Sequence, residues 1–355
     1  MNKLNNFPII GIMVKTRNIR KRILKQYQRR HNLEMRVYAF TPSDINWKEK
    51  RIIGLRLRNG KWKESSFPFP HAVYNRCFNK KLTTITRLEQ TIGKNKCFNT
   101  INFFNKWVLY NCLKKSDLKP YLPETFLYNE AVLSELVEKY KLIYIKPTYG
   151  AKGMSVHRVE LKDNGDIHIS LHSLAPTYIC RKNESIQEQM AKLLGQKKYI
   201  IQQGIHMNQL DHHYFDIRAL VQKNIVGEWT VTCFTCRVTH KHYFNTSICE
   251  AICDITKILT HLFSQEEMND ILQSLNELSI KAAQEAERQM GTLGELSVDF
   301  VLDDQNKLWI IELNGKPQKD IYNDLRDSKK KKRIYRRPLE YAYYLSHTDK
   351  SSEES

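Results

Sequence analysis

The chain has 355 residues, 41% of them hydrophobic, with 57 Lys and Arg against 38 Asp and Glu and a formal net charge of +19. That length supports two or three domains with buried cores, and ordinary apolar content confines expected disorder to the chain ends. No apolar run approaches the roughly 18 residues that span a bilayer, and the positive excess favours polyanionic partners.

Residues 1–95 read as a small α/β unit. Segment 7–14 is apolar but short and lacks the small-residue cleavage pattern of a secretory leader. It reads as a first buried strand, so a cytoplasmic location is expected. Strands 9–14 and 35–40 flank a basic helix at 15–30 (KTRNIRKRILKQYQRR), with Ile19, Ile23, Leu24 and Tyr27 on one side. Its charged side is either a solvated face or a polyanion contact. A Pro-rich elbow at 65–77 follows, extended at 67–70, with a short strand at 72–74.

A helix over 102–118 ends ahead of Lys119-Pro120. Then come strand 125–128, helix 130–140, buried strand 142–146, a glycine-containing turn at 148–155 and a returning strand at 156–161. A polar hairpin at 162–167, helix 185–194 and strand 199–203 complete the middle of the chain. Strands 214–222 and 229–239 pair about a turn at 223–227. A long amphipathic helix, 264–290, leads into a hairpin at 296–317, and helix 337–345 closes the chain before a frayed tail. Eight cysteines without a short-spaced framework suit a reducing compartment. Cys233 and Cys236, three apart on a strand, face opposite ways and cannot share zinc. Cys249 and Cys253 have the spacing of one helix face, with no His at ligand spacing beside them.

The hairpin LSVDFVLDDQNKLWIIELNGKP (296–317) joins two apolar runs through turn chemistry. Alternation sets Glu312 and Asn314 on one face, and an even loop of two or four residues would stand Asp299 opposite Glu312. Buried carboxylates side by side are costly unless a cation shares them, and such oxygen ligands suit Mg²⁺ held jointly with phosphates. The alternative is a hairpin with solvated acids. Upstream, KPTYGAKGMS (146–155) places Lys146 at a strand end before Gly150, Lys152 and Gly153. Glycines there admit backbone N–H groups close to an anion; the pattern is not a P-loop, and an ordinary turn is the alternative. In YFDIRALVQ, Asp216 and Arg218 share a face, as a plain surface ion pair would. Arg237 ends the next strand in phase with Trp229, Val231, Cys233 and Thr235, placed to clamp a carboxylate or phosphate.

The order of these pieces resembles the ATP-grasp superfamily. VYNR (73–76), IKPTYGAKG (145–153), YIIQQGI (199–205), DIRALVQ (216–222), Arg237 and IELNGKP (311–317) look most like its YheC/YheD branch of spore-forming bacteria, described as endospore coat-associated proteins. The resemblance spans about residues 70–345. It implies an α+β fold of two subdomains clasping ATP behind a small α/β domain: 1–95 N-terminal, 96–203 lid-bearing, 204–347 metal-binding, 348–355 a tail. It implies that Lys106 and Lys146 reach the ATP phosphates under a lid carrying Gly150, Lys152, Gly153, Met154 and Ser155. Gln202, Gln203, Gly204 and Ile205 would read the adenine edge through backbone groups, and Asp216 would line the same cavity. Asp299 and Glu312, completed by Asn314, would hold one or two Mg²⁺ (or Mn²⁺) ions. Arg237, Lys146 and Arg218 would carry the catalytic charge.

Two departures stand out. Gln202 and Gln203 replace the hinge Glu of many ATP-grasp enzymes, and after Arg237 only Asn245-Thr246 matches, without the glycines that often follow. The resemblance implies an ATP-dependent carboxylate–amine or carboxylate–thiol ligase working through an acyl phosphate and associated with the spore or its coat. The alternative is a non-catalytic coat-associated or polyanion-binding protein that keeps the fold. The basic segments 15–30 and 329–337 are candidates for polyanion or spore-coat contacts. Nucleic acid is not an expected partner, since no binding module or aromatic ladder is recognisable.

Overall fold

The computed structural model describes residues 7–27, 32–323, 325 and 327–348, and the chain builds three sheets in succession. The expected frayed tail after Thr348 and the last three residues of the basic segment, Gln28, Arg29 and Arg30, lie outside the described residues.

The first sheet contains β1 (Ile9–Met13), β2 (Arg36–Phe40), β3 (Ile45–Asn46), β4 (Arg51–Arg58), β5 (Lys61–Pro68), β6 (Ala72–Asn75) and β7 (Cys97–Phe98). Its order is β3-β4-β2-β1-β6-β7, with β5 on β4. All five residues of β1 are buried, as befits a parallel strand covered on both faces. Helix α1 (Arg20–Tyr27) buries Ile23, Leu24 and Tyr27 but is shorter than the expected 15–30, with a 3₁₀ turn preceding it. The β4–β5 hairpin, anticipated only as extended chain at 67–70, turns at Asn59-Gly60. Both residues have positive φ (49° and 72°), the backbone such tight hairpins require. A second helix, α2 (Thr83–Ile92), had not been anticipated.

The second sheet follows α3 (Lys106–Leu113). It comprises β8 (Thr125–Leu127), β9 (Leu142–Pro147), β10 (His157–Leu161), β11 (Ile167–Leu171), β12 (Tyr178–Cys180) and β13 (Tyr199–Gln203), ordered β12-β11-β10-β9-β13-β8. Helices α4 (Glu130–Tyr140) and α5 (Ile186–Leu193) cover one face, burying Leu133, Leu136, Ile186 and Met190 against Ile143, Val159 and Ile201. Helix α3 does not fill the expected 102–118. The Asn105 side chain accepts from the amides of Trp107 and Val108 and starts the helix there, while Asn102 bonds the loop after β6.

The third sheet comprises β14 (Gln209–Leu210), β15 (His213–Lys223), β16 (Trp229–Thr239), β17 (Cys249–Asp254), β18 (Glu295–Leu302) and β19 (Leu308–Asn314), ordered β17-β16-β15-β18-β19 with β14 on β15. After α6 (Ile255–Leu262), α7 (Gln265–Met290) covers one face. A Ser264–Glu267 capping box starts α7 and Gly291, at φ 78°, ends it. Cys249 and Cys253 therefore sit on a strand, not a helix, and Cys233 and Cys236 point into separate cores.

The closing helix α8 (Ser328–His347) begins nine residues before the expected start at 337, capped by Asp327, and carries Pro338 within it. The basic run 329–337 thus forms its first half. Ile334, Tyr335, Leu339 and Ala342 fill the space between Ile10, Ile12 and Tyr74 of the first sheet and Leu220 and Cys233 of the third. At that junction Glu295, 1% exposed, accepts from Lys319 Nζ at 2.6 Å, Gln222 Nε2 at 2.8 Å, Arg76 Nη1 at 3.2 Å and the Tyr74 hydroxyl. Burial pushes its carboxyl up, but Lys319 and Arg76 outweigh that and hold it below the usual range. Glu295→Ala leaves buried Lys319 and part-buried Arg76 without their counter-charge, so unfolding free energy in urea should fall by about 3 to 5 kcal/mol; an unchanged midpoint would refute this.

Candidate functional site

The two acidic strands meet by a route that alternation alone does not supply. Leu302 pairs with Leu308, so the loop is residues 303–307, an odd number, and an uninterrupted ladder would set Asp299 opposite Ile311. A β-bulge next to Phe300 absorbs one residue: Phe300 pairs with Ile310 and Asp299 with Glu312. The expected pairing is present, but the expected even loop is not.

Asp299 is held across strands. Arg218, opposite it on β15, donates from Nε to Oδ1 at 2.7 Å and from Nη2 to Oδ2 at 2.6 Å. Arg237 on β16 donates from Nη2 to Asp299 Oδ2 at 3.0 Å and from Nε to Asp216 Oδ1 at 2.8 Å. Thr246 Oγ1 adds a 2.6 Å hydrogen bond to Asp216 Oδ2. The simple Asp216–Arg218 pair along one strand is thus replaced by a chain of charges across three strands, all buried. Burial raises the Asp299 pKa, but the two guanidiniums outweigh it and keep the carboxylate ionised. Burial likewise opposes the charge on Arg237, and Asp216 and Asp299 reverse that. A second bulge, beside Leu220, turns Trp229 away from Arg237's face. Trp229 packs on the α7 side with Cys236, its Nε1 donating to Glu287 at 2.9 Å.

Lysines close the site from the second sheet. Lys106, the first residue of α3, places Nζ 3.1 Å from Glu312 Oε1 and 3.2 Å from the Gly150 carbonyl. Lys146 on β9 donates to Gln202 Oε1 at 2.6 Å. Desolvation and the neighbouring Lys106 lower its pKa, Glu312 partly offsets them, and it settles at about 8.

Between the second and third sheets lies a cleft of about 1030 Å³. Lys106, Lys146, Asp216, Arg218 and Arg237 line it, as do Asp299, Glu312 and Asn314. The loop contributes Gly150, Lys152, Gly153 and Met154, and the strand end Gln202, Gln203 and Ile205. Ser155 and Gly204 do not line it, which corrects their expected roles. The Gly204 amide is spent on the Leu142 carbonyl at 2.8 Å, and a Cβ there would lie 2.7 Å from that oxygen, so this glycine serves sheet packing. The Gln203 amide is likewise bonded to Glu124 O. Met207 and Phe244, which no motif marked, and Ile311, named only as the first residue of IELNGKP, supply apolar walls. Ile311 is the extra residue of the bulge, invisible to a periodic pattern.

Among the described residues no group of three His, Cys, Asp or Glu gathers as a metal site; the donor set is two carboxylates and one amide. It nonetheless fits a hard divalent ion shared with phosphates. Asp299 Oδ1 accepts one hydrogen bond and retains a lone pair, Glu312 is paired among the described residues only with Lys106 and is partly exposed, and Asn314 lines the same cleft. Gly153, at φ 64°, lies so close to Asn245 that a Cβ would stand 2.3 Å from its Nδ2.

A family model described as "YheC/D like ATP-grasp" matches residues 94–345. The chain is 27% identical over 323 residues to the endospore coat-associated protein YheD of Bacillus subtilis (strain 168), covering 87% of this chain and 70% of the relative. It is 25% identical over 326 residues to the endospore coat-associated protein YheC of the same organism, covering 88% of each. In fold it is similar to the ATP-grasp ligase PsnB, solved with minimal precursor, Mg and ADP, at TM-score 0.54 and 13% identity over 95% of this chain and 97% of that one. It is also similar to D-alanyl-alanine synthetase A from Vibrio cholerae, at TM-score 0.53 and 11% identity over 93% and 97%. The fold is the α+β ATP-grasp fold expected. No helix among the described residues is long and apolar enough to cross a membrane.

A side chain at Gly153 meets left-handed strain of roughly 1 to 2 kcal/mol and displaces Asn245. Gly153→Ala should therefore speed amide exchange over residues 150–156 about tenfold while β15 and β18 stay protected; unaltered exchange in the loop would count against the contact.

Proposed function

The chain belongs to the YheC/D-like ATP-grasp family, and from that premise we propose that it binds Mg-ATP in this cleft and uses it to join a carboxylate to an amine or thiol. The observation that carries the reading is the Asp299–Glu312 pair ringed by Arg218, Arg237 and Lys106. The family division at residues 95, 203 and 347 is part of the same reading, as is association with the spore, on the strength of the relatives' names.

ATP supplies the phosphoryl group that turns a carboxylate, a poor electrophile at neutral pH, into an acyl phosphate open to attack. Asp299, Glu312 and Asn314 hold one or two Mg²⁺ (or Mn²⁺) ions, which neutralise phosphate charge. Lys106 and Lys146 bind phosphate oxygens, and the loop 150–154 closes over them to exclude water. Gln202, Gln203 and Ile205 border the base. Arg237, anchored by Asp216, stabilises charge developing on the transferred group, and Arg218 keeps Asp299 ionised and oriented. A second reading, a coat-associated protein that keeps the fold without turnover, is favoured by the three guanidinium hydrogen bonds that Asp299 already accepts.

ADP release from Mg-ATP in the presence of pooled carboxylates and amines separates the two. The ligase reading expects turnover in the wild type and a loss of about 100-fold or more in Asp299→Ala. Turnover absent from the wild type, with Mg-ATP still bound, selects the second reading. Lys146 adds a pH signature. Its lowered pKa means the free protein sheds that proton above about pH 8, whereas bound phosphate retains it. Nucleotide affinity should therefore fall by up to about tenfold per pH unit above 8, and Lys146→Arg should flatten the profile; a slope unchanged in that variant assigns the titration elsewhere.

A further inference from the structure

A second cavity, of about 1290 Å³, adjoins the nucleotide cleft on the side of the first sheet. The two share Arg218, Arg237, Glu312 and Asn314, so a group lying between them touches the charged centre from the side away from Lys146. One wall is aromatic. Phe78, 46% exposed, lies 4.2 Å centroid to centroid from Phe103, which lies 5.2 Å from Tyr149 of the lid loop.

That wall is built, not incidental. Asn75, from the VYNR motif, donates to Asn79 Oδ1 at 2.9 Å. The Asn79 amide donates to Asn102 Oδ1 at 3.0 Å, and the Phe103 amide donates to the Asn79 carbonyl at 3.0 Å. These bonds tie loop 78–79 to 102–103 and set the two rings side by side before any ligand arrives.

Lys316 sits on this wall, its Nζ over the Phe78 ring at 5.6 Å from the centroid. Among the described residues Lys316 has no carboxylate partner, and the charged groups acting on it from neighbouring elements, Arg76, Lys15 and Arg22, are all cations; Cys77 is the other titratable group facing it. Arg76 is already paired with Glu295. An ammonium so placed beside an apolar wall, in a positive field, is a receptor for an anion.

We propose that this cavity selects a carboxylate substrate bearing a second acidic group beside an apolar or aromatic side chain, as an acidic peptide presents, with Lys316 pairing the second acid. The inference rests on the ligase reading for which carboxyl is activated: that group lies at Arg237 and Glu312, the side chain packs along the Phe78–Phe103 wall, and the second acid reaches Lys316. It concerns recognition alone and adds no chemical step.

Calorimetric titration of the full chain with N-acetyl-Phe-Glu and N-acetyl-Phe-Gln, with and without Mg-ADP, tests it, because the two probes differ by one acidic group. The wild type should bind the diacid about tenfold more tightly. Lys316→Ala should erase that preference, Lys316→Arg should retain it, and Phe78→Ala should weaken both probes while keeping their ratio. Equal affinities in the wild type, a preference that survives Lys316→Ala, or no binding of either probe at millimolar concentration would each overturn the proposal. Mg-ADP failing to bind the wild type strikes the ligase reading instead, and the titrations without nucleotide then decide the cavity's preference.

Discussion

A carboxylate buried in a sheet cannot stay ionised without partners, and the third sheet is arranged around that demand at Asp299. Arg218 and Arg237 reach it from the adjacent strand and from the one beyond, and Asp216 and Thr246 in turn fix Arg237. Each group offsets the desolvation of the next, so the cluster stands or falls together. Its orientation follows from strand pairing, which places Arg218 opposite Asp299 and Arg237 opposite Asp216. These charges are therefore carried on paired strands of one sheet.

The same strand carries a second buried acid with a different fate. Glu295, four residues before Asp299, meets Lys319, Arg76, Gln222 and Tyr74, and its position between the first and third sheets makes it a structural junction. Glu312 is the opposite case: partly exposed, paired among the described residues with Lys106 alone, and facing the cleft. Three acids on two neighbouring strands thus range from saturated to available, and availability increases toward the cleft. In the loop that borders the cleft, Lys152, Gly153 and Ser155 all adopt positive φ, and Gly153 lies against Asn245.

Much of this was legible in the residues themselves. The bounds of α4, β13 and β16 coincide with their apolar runs, because Asn129, Gly204 and the turn at 223–227 punctuate them. Fifteen of the seventeen named site positions line one cleft; Ser155 and Gly204 do not, because a motif says which residues neighbour a site and not which atoms are already engaged in holding the sheet. Helix α3 starts later than expected since the side chain of Asn102 bonds Asn75 and Asn79 instead. Helix α8 is expected only from 337 because its basic first half reads as a polyanion contact until the core it fills is known.

What the chain determines locally is strand alternation, capping and turn chemistry. These suffice to put Asp216 with Arg218 and Glu312 with Asn314 on common faces. What only the tertiary structure decides is register. The bulges beside Phe300 and Leu220 bring Asp299 opposite Glu312 and turn Trp229 away from Arg237, in strands whose side chains pack on α7 and, at Leu220 and Cys233, on α8. The physical reason is one of range: alternation is a property of consecutive peptide units, whereas an inserted residue is stable only when distant side chains fill the space on both faces of the sheet.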